Sequence, residues 1–189
     1  MVSNVAVFAS GGGSNFENLA LKSAESGFDI KVLIVDSPDA FAVKRAEKLN
    51  IPSIIINRGV YSSKRDFETA IKEALSDFTV DYIVLAGFMR ILSAEFINAY
   101  KDRIINLHPS LLPSFKGRNG IEDAYNYGVK VTGVTVHYVD AGIDTGKIIE
   151  QTAVIIEEDD TLQSLEDKIH QTEYELYPEA LKKVLNGRV

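Results

Sequence analysis

Short, mostly apolar runs alternate with stretches of helical spacing through the first half of this chain, and that rhythm constrains the fold more than any other feature. The runs at 4–10 (Asn-Val-Ala-Val-Phe-Ala-Ser), 30–35, 51–56 and 82–86 carry too little polarity for half-solvated strands. They are also too short for core-bearing helices. Between them Phe16, Leu19, Ala20 and Ala24 fall at helical spacing, as do apolar residues in 41–49 and Phe67, Ile71 and Leu75 within 63–75. Strands buried on both faces and separated by helices predict a parallel sheet with a helical layer on each side. Ser93 is placed to cap a further helix over 93–100. A fifth strand enters at 103–105 and ends at Pro109, because proline has no N–H for a sheet ladder.

The pattern then changes. Over 131–139, Val134, Val136 and Tyr138 alternate with Thr135 and His137, and a second extended stretch covers 148–156. These two predict an antiparallel pair. Asp160 is placed to cap a last helix bearing Leu162, Leu165 and Ile169, interrupted near Pro178. No repeat, low-complexity tract or linker breaks the chain, so residues 1–189 read as one domain with an N-terminal half over about 1–100 and a C-terminal half over about 101–189. The predicted fold class is α/β: a Rossmann-like open twisted sheet, mostly parallel with an antiparallel C-terminal portion, and helices on both faces.

A length of 189 residues is enough to bury a sizeable core. The net charge of −7, with no basic cluster larger than Lys64-Arg65, disfavours a nucleic-acid partner and favours small-molecule substrates. No apolar stretch reaches membrane-spanning length and no leader-like segment opens the chain, so a cytoplasmic protein without a membrane partner is expected. The absence of cysteine excludes disulfides, thiolate metal sites and cysteine nucleophiles.

Ligands of open α/β sheets collect beyond the carboxyl ends of the strands, near the point where strand order reverses. The unusual residues fall there: Gly11 to Asn15 after the first strand, Gly87 to Leu92 after the fourth, Asn106 and His108 at the tip of the fifth, Asp140 to Gly146 after the sixth. The glycine loop opens a helix whose free N–H groups suit an anion. Phe16 occupies the third glycine position of a dinucleotide fingerprint, and no Gly-Lys-Ser/Thr follows for a P-loop. A monophosphate cradle therefore fits better, with a plain strand-to-helix turn as the competing reading. Asn106 and His108 stand two apart on a strand and share a face. They pair an amide donor for a carbonyl oxygen with an imidazole tunable near neutral pH; a capping Asn and a surface His compete with that reading. Asp144, between glycines, is either a turn residue or the partner of His108. His137 is either lining or structural. His170 and Glu173 share a helix face, which by itself reads as a solvated one. Zinc-binding spacings are absent, and no metal is expected.

The segment Asn106-Leu107-His108-Pro109-Ser110-Leu111-Leu112-Pro113, with Asp144 far downstream, resembles the folate-dependent formyltransferase family. Gly13-Ser14-Asn15, Ala86 to Leu92 and Asp144-Thr145-Gly146 extend the resemblance from Gly11 through Pro178. It implies that Asn106, His108 and Asp144 are catalytic. It implies that Gly13, Ser14 and Asn15 hold a ribonucleotide phosphate, and that His170 and Glu173 contact a glycinamide substrate. Lys64, Met89, Arg90, Ile91, Leu92, Asn106, Asp140, Ala141, Gly142, Ile143 and Asp144 would bind 10-formyltetrahydrofolate, the co-substrate. The implied reaction is direct transfer of the formyl group to the amine of 5′-phosphoribosylglycinamide in purine synthesis, through a tetrahedral intermediate, by a monomer or homodimer.

Two positions depart from the family pattern. Lys64 stands where members often carry Arg and lacks its bidentate fork, although Arg65 is adjacent. Tyr174 stands where many have His. Within the family, a formyltetrahydrofolate hydrolase is expected to add an N-terminal regulatory domain and a methionyl-tRNA formyltransferase a C-terminal RNA-binding domain. The reading from another class is a nucleotide-binding module that uses Gly11 to Gly13 with Asp36 to hold a ribose.

Overall fold

The computed structural model describes residues 2–187. Seven strands form one sheet in the order β3-β2-β1-β4-β5-β6-β7. The chain divides into two compact units, one up to Ile105 and one from Asn106.

The first unit runs β1 (Ser3–Ala9), α1 (Ser14–Ser26), β2 (Phe28–Val35), α2 (Ala42–Lys48), β3 (Ser53–Ile55), α3 (Lys64–Ser76), β4 (Tyr82–Leu85) and α4 (Ala94–Ala99), and enters β5 (Ile104–His108). Strand β1 pairs in parallel with β2 on one side and β4 on the other, and β2 pairs in parallel with β3. Val5 to Ala9 and Val32 to Val35 are fully buried, which is why these strands read as unbroken apolar runs. The helices bring Phe16, Leu19, Phe67, Ile71 and Phe96 into the same core. Ser63 and Ser93 cap α3 and α4, each accepting from a backbone N–H three residues on at 3.1 Å. Strand order reverses between β1 and β4, so the loops that leave those two strands flank the switch point.

The second unit holds α5 (Gly120–Tyr127), β6 (Val131–Tyr138), β7 (Ile148–Ile155) and α6 (Leu162–Leu185). Strands β6 and β7 pair antiparallel from Val131 opposite Ile155 to His137 opposite Ile148, with an irregularity after Val136. Leu165, Ile169, Tyr177 and Leu181 of α6 are buried together with Val134 and Val136.

Three details differ from the sequence expectations. Helix α5 was not anticipated: it buries only Gly120 and Ala124, so no apolar stripe marks it. The cap of α6 is Thr161, not Asp160. Thr161 and Ser164 exchange side-chain and backbone hydrogen bonds in a capping box at 2.9 and 3.1 Å, while Asp160 accepts from Ser164 Oγ and Lys168 Nζ at 2.7 and 2.6 Å. The Lys168 hydrogen bond, before the others, lowers the Asp160 carboxyl to about 2. Helix α6 is also not interrupted at Pro178. Leu176, Tyr177, Pro178, Ala180 and Leu181 are all buried there, and that packing outweighs the one ladder bond the proline removes.

Candidate active site

In the first unit, Gly13 caps α1 from the left-handed region (φ 72°) with no side-chain cap hydrogen bond. A Cβ on Gly13 would stand 2.5 Å from Ala42 Cβ, so both backbone conformation and close approach require glycine here. The loop is tied to α2: Ala42 N–H donates to Gly11 O at 3.1 Å and Arg45 Nε to Gly12 O at 2.8 Å, while Arg45 also pairs with Glu17. Phe16 is fully buried and fills the place a dinucleotide fingerprint reserves for a small residue. A helix start without a side-chain cap thus follows the glycine loop, a setting that in general suits an anion.

Across the switch point, Ser10 links both loops: its N–H donates to Gly87 O at 3.1 Å and its hydroxyl accepts from Met89 N–H at 2.8 Å. Met89 and Ile91 are exposed, Leu92 is buried, and Arg90 pairs with Asp36. Asp36 is thereby engaged, which removes the ribose-holding role that a nucleotide-binding module would give it. Lys64 and Arg65 lie exposed in the first turn of α3.

The second unit contains the densest polar cluster. Asn106 Nδ2 stands 3.2 Å from His137 Nε2, and His137 Nδ1 is 2.8 Å from Tyr138 O. A carbonyl only accepts, so Nδ1 carries the proton and the lone pair on Nε2 accepts from Asn106. Burial pushes the His137 ring down from the usual histidine range, which favours the same neutral form. The amide of Asn106 is thus oriented with its second Nδ2 hydrogen left to donate elsewhere. His108 is buried, and its Nε2–H donates to Phe115 O at 2.9 Å. Its Nδ1 is 3.5 Å from Asp144 Oδ2, and Asp144 Oδ1 is 3.9 Å from His137 Nε2. The carboxylate therefore lies beside both imidazoles, nearer to His108 Nδ1 than to the His137 nitrogen, which carries no proton.

Asp144 is held in place by its left-handed backbone (φ 50°) and by Gly117 N–H, which donates to Oδ2 at 2.8 Å. Upstream, Asp140 Oδ1 accepts from Gly142 N–H at 3.0 Å and Thr145 Oγ at 2.6 Å, knotting the loop, while Ala141 and Ile143 are exposed. The segment that supplies Phe115 O and Gly117 N is fixed in turn. Thr135 Oγ1 donates to Ser110 O at 2.6 Å and accepts from Leu112 N–H at 3.1 Å, and Gln151 Nε2 donates to Leu112 O at 3.0 Å. Helix α5 starts against His108, where a Cβ on Gly120 would lie 3.3 Å from Nε2 and 3.1 Å from Phe115 O.

On α6, His170 Nδ1 and Glu173 Oε2 are 2.9 Å apart, with the ring half-exposed and the carboxylate buried. The Glu173 hydrogen bond raises the His170 pKa above its ordinary value. The pair is more than a solvated face. Sequence reasoning left His137 open between lining and structure. Its signal was a polar residue sharing the buried parity of Thr135 on a strand whose other face is valine. The backbone groups of Phe115 and Gly117 leave no trace in side-chain patterns. Among the described residues, no three His, Asp or Glu side chains stand together as a metal site, and no helix is long and apolar enough to cross a membrane.

Comparison with known proteins shows the family. Residues 3–181 match the formyl transferase family model. The chain is 46% identical to phosphoribosylglycinamide formyltransferase of Bacillus subtilis (strain 168), across 95% of this chain and 93% of that protein. It is 42% identical to trifunctional purine biosynthetic protein adenosine-3 of Bos taurus, across 98% of this chain but 18% of that longer protein. Among solved structures, phosphoribosylglycinamide formyltransferase from Bacillus halodurans superposes with a TM-score of 0.93 at 44% identity, covering 97% of this chain and 95% of that one. Glycinamide ribonucleotide transformylase 1 from Symbiobacterium toebii gives 0.95 at 36% identity, covering 99% and 89%. The chain belongs to the formyl transferase family.

Proposed function

We propose that this chain transfers the formyl group of 10-formyltetrahydrofolate to the amine of 5′-phosphoribosylglycinamide, a step of purine synthesis, at a centre made by Asn106, His108 and Asp144. The observation that carries the assignment of residues is the Asp144 carboxylate, 3.5 Å from His108 Nδ1 and 3.9 Å from the His137 ring that orients Asn106. The folate supplies a formyl carbonyl on a nitrogen leaving group. As the amine attacks that carbon, charge builds on the formyl oxygen, and preorganised donors stabilise it. Asn106 donates through its second Nδ2 hydrogen. His108 donates through Nε2–H, exchanging the Phe115 carbonyl for the formyl oxygen. Asp144 faces the opposite ring nitrogen, supports the charge on the imidazole and, directly or through a water, helps carry the proton from the attacking amine to the departing nitrogen. No covalent enzyme intermediate is needed.

The uncapped start of α1, with Gly13, Ser14 and Asn15, takes the phosphate, and His170 with Glu173 takes the glycinamide portion. Met89, Arg90, Ile91 and Leu92, together with Asp140, Ala141, Gly142, Ile143 and Asp144, bind the pterin. Exposed Met89, Ile91 and Ile143 offer apolar surface for a flat ring, whereas buried Leu92 offers its backbone. Lys64 meets the acidic tail. Residues 1–189 act as one cytoplasmic domain, as a monomer or homodimer, without nucleic acid. The test follows the folate absorbance with phosphoribosylglycinamide, methionyl-tRNA or water as acceptor. Turnover with the first alone is expected; formate release without an acceptor, or formylated tRNA at comparable rate, would overturn the reading.

A further inference from the structure

The segment between β4 and α4 is held from beneath by two buried carboxylates for which formyl transfer has no use. Asp36, just after β2, is 2% exposed and pairs with Arg90 Nε through Oδ2, while its Oδ1 is buried without a hydrogen-bond partner. Glu68 of α3, 4% exposed, accepts from Ser93 N–H at 2.7 Å and from the Ser93 hydroxyl. Ser10 fixes Met89 N–H, and the Phe88 ring packs edge-on against Phe8 with centroids 5.3 Å apart. The polar side chains of the segment, Arg90 and Ser93, thus serve as anchors, and Met89 and Ile91 remain outside at 53% and 67% exposure.

A carboxylate taken out of water with one oxygen unpaired is a poor choice for stability alone, because a well-packed apolar residue costs less. It gains purpose if the conformation of Arg90 matters. A flat ring with donors and acceptors along its edge is gripped well only by a backbone already fixed, since ordering a loop at the moment of binding weakens affinity. We propose that Asp36 is a positioning residue of the folate site: by holding the Arg90 guanidinium it sets the backbone of Met89 to Leu92 before the pterin arrives. This rests on the assignment of that segment to the folate.

The test measures both Michaelis constants in folded variants, with thermal melts alongside. Asp36→Ala is expected to raise KM for 10-formyltetrahydrofolate about tenfold, as loss of a hydrogen bond to a charged group does, with KM for phosphoribosylglycinamide within about twofold of the parent. Asp36→Asn keeps an acceptor oxygen before Arg90 and restores most of the loss. Arg90→Met, whose folding the same melts check, gives the same rise, and the double variant Asp36→Ala/Arg90→Met adds nothing further. Ile91→Asp, at the exposed tip, tests the segment itself. If Ile91→Asp raises the folate KM while Asp36→Ala and Arg90→Met leave it unchanged, the positioning role is wrong and the folate segment stands. If none of the three moves it, the segment assignment falls and the proposal with it. Equal rises in both Michaelis constants, or additive effects of Asp36→Ala and Arg90→Met, also overturn it.

Discussion

Tyr138 O accepts from His137 Nδ1–H, and from that bond the tautomer of His137, the orientation of Asn106 and the direction of its remaining hydrogen follow in sequence. Asn106→Ala and His108→Ala are each expected to lower kcat by about 10²–10³, the usual cost of one oxyanion donor, with both ligands still bound; stopped-flow transfer and equilibrium titration check this. The histidines also carry opposite pH linkages. His137 is held below its unfolded value of 6.5, so its contribution to stability is present above that pH and is lost as pH falls through the folded pKa. His170 is raised by Glu173, so its contribution is complete below 6.5 and is lost as pH rises through the folded pKa. Urea unfolding of wild type and variants should therefore show His137→Phe narrowing its stability deficit on acidification and His170→Gln narrowing its deficit on alkalinisation. Deficits that do not change with pH would contradict both assignments.

Among the elements, α1, α5 and α6 are the ones whose ends matter. Helix α5 begins against His108 only because residue 120 has no side chain. Gly120→Ala should push the helix start and Phe115 apart by a few tenths of an ångström, lowering transfer rates while leaving the melting temperature little changed. Gly13→Ala meets both a positive φ and Ala42, so it should lower thermal stability and raise KM for phosphoribosylglycinamide together. Thr161→Ala removes the cap of α6 at a cost of about 1 kcal/mol in denaturant unfolding, without effect on kcat.

Over the whole molecule, what sequence reveals is what solvent exclusion writes into it. Strands β1, β2 and β4 are buried on both faces, so their apolar runs were readable to within a residue or two, and β6 was readable from the alternation of Val134, Val136 and Tyr138 with Thr135 and His137 in its sequence. Helix α5 was illegible because Glu122, Asp123, Asn126 and an 80% exposed Tyr127 leave no stripe. The continuity of α6 through Pro178 was illegible because local propensity forbids what tertiary packing permits. Asn106 and His108 stood out as polar residues at a strand tip, and Asp144 as an acid between glycines in a loop. His137, Phe115 O and Gly117 N, which aim them, did not, since a buried neutral ring resembles structure and a backbone group has no side-chain code.

Single-turnover transfer by Asp144→Asn, with both ligands saturating, tests most directly whether this carboxylate works through His108. The amide keeps an oxygen for Gly117 N–H but withdraws the charge facing Nδ1. The predicted outcome at saturation is a fall in the transfer rate of at least about 10²-fold, with the dissociation constant for phosphoribosylglycinamide within about threefold of wild type; a transfer rate within about threefold of wild type would contradict the account.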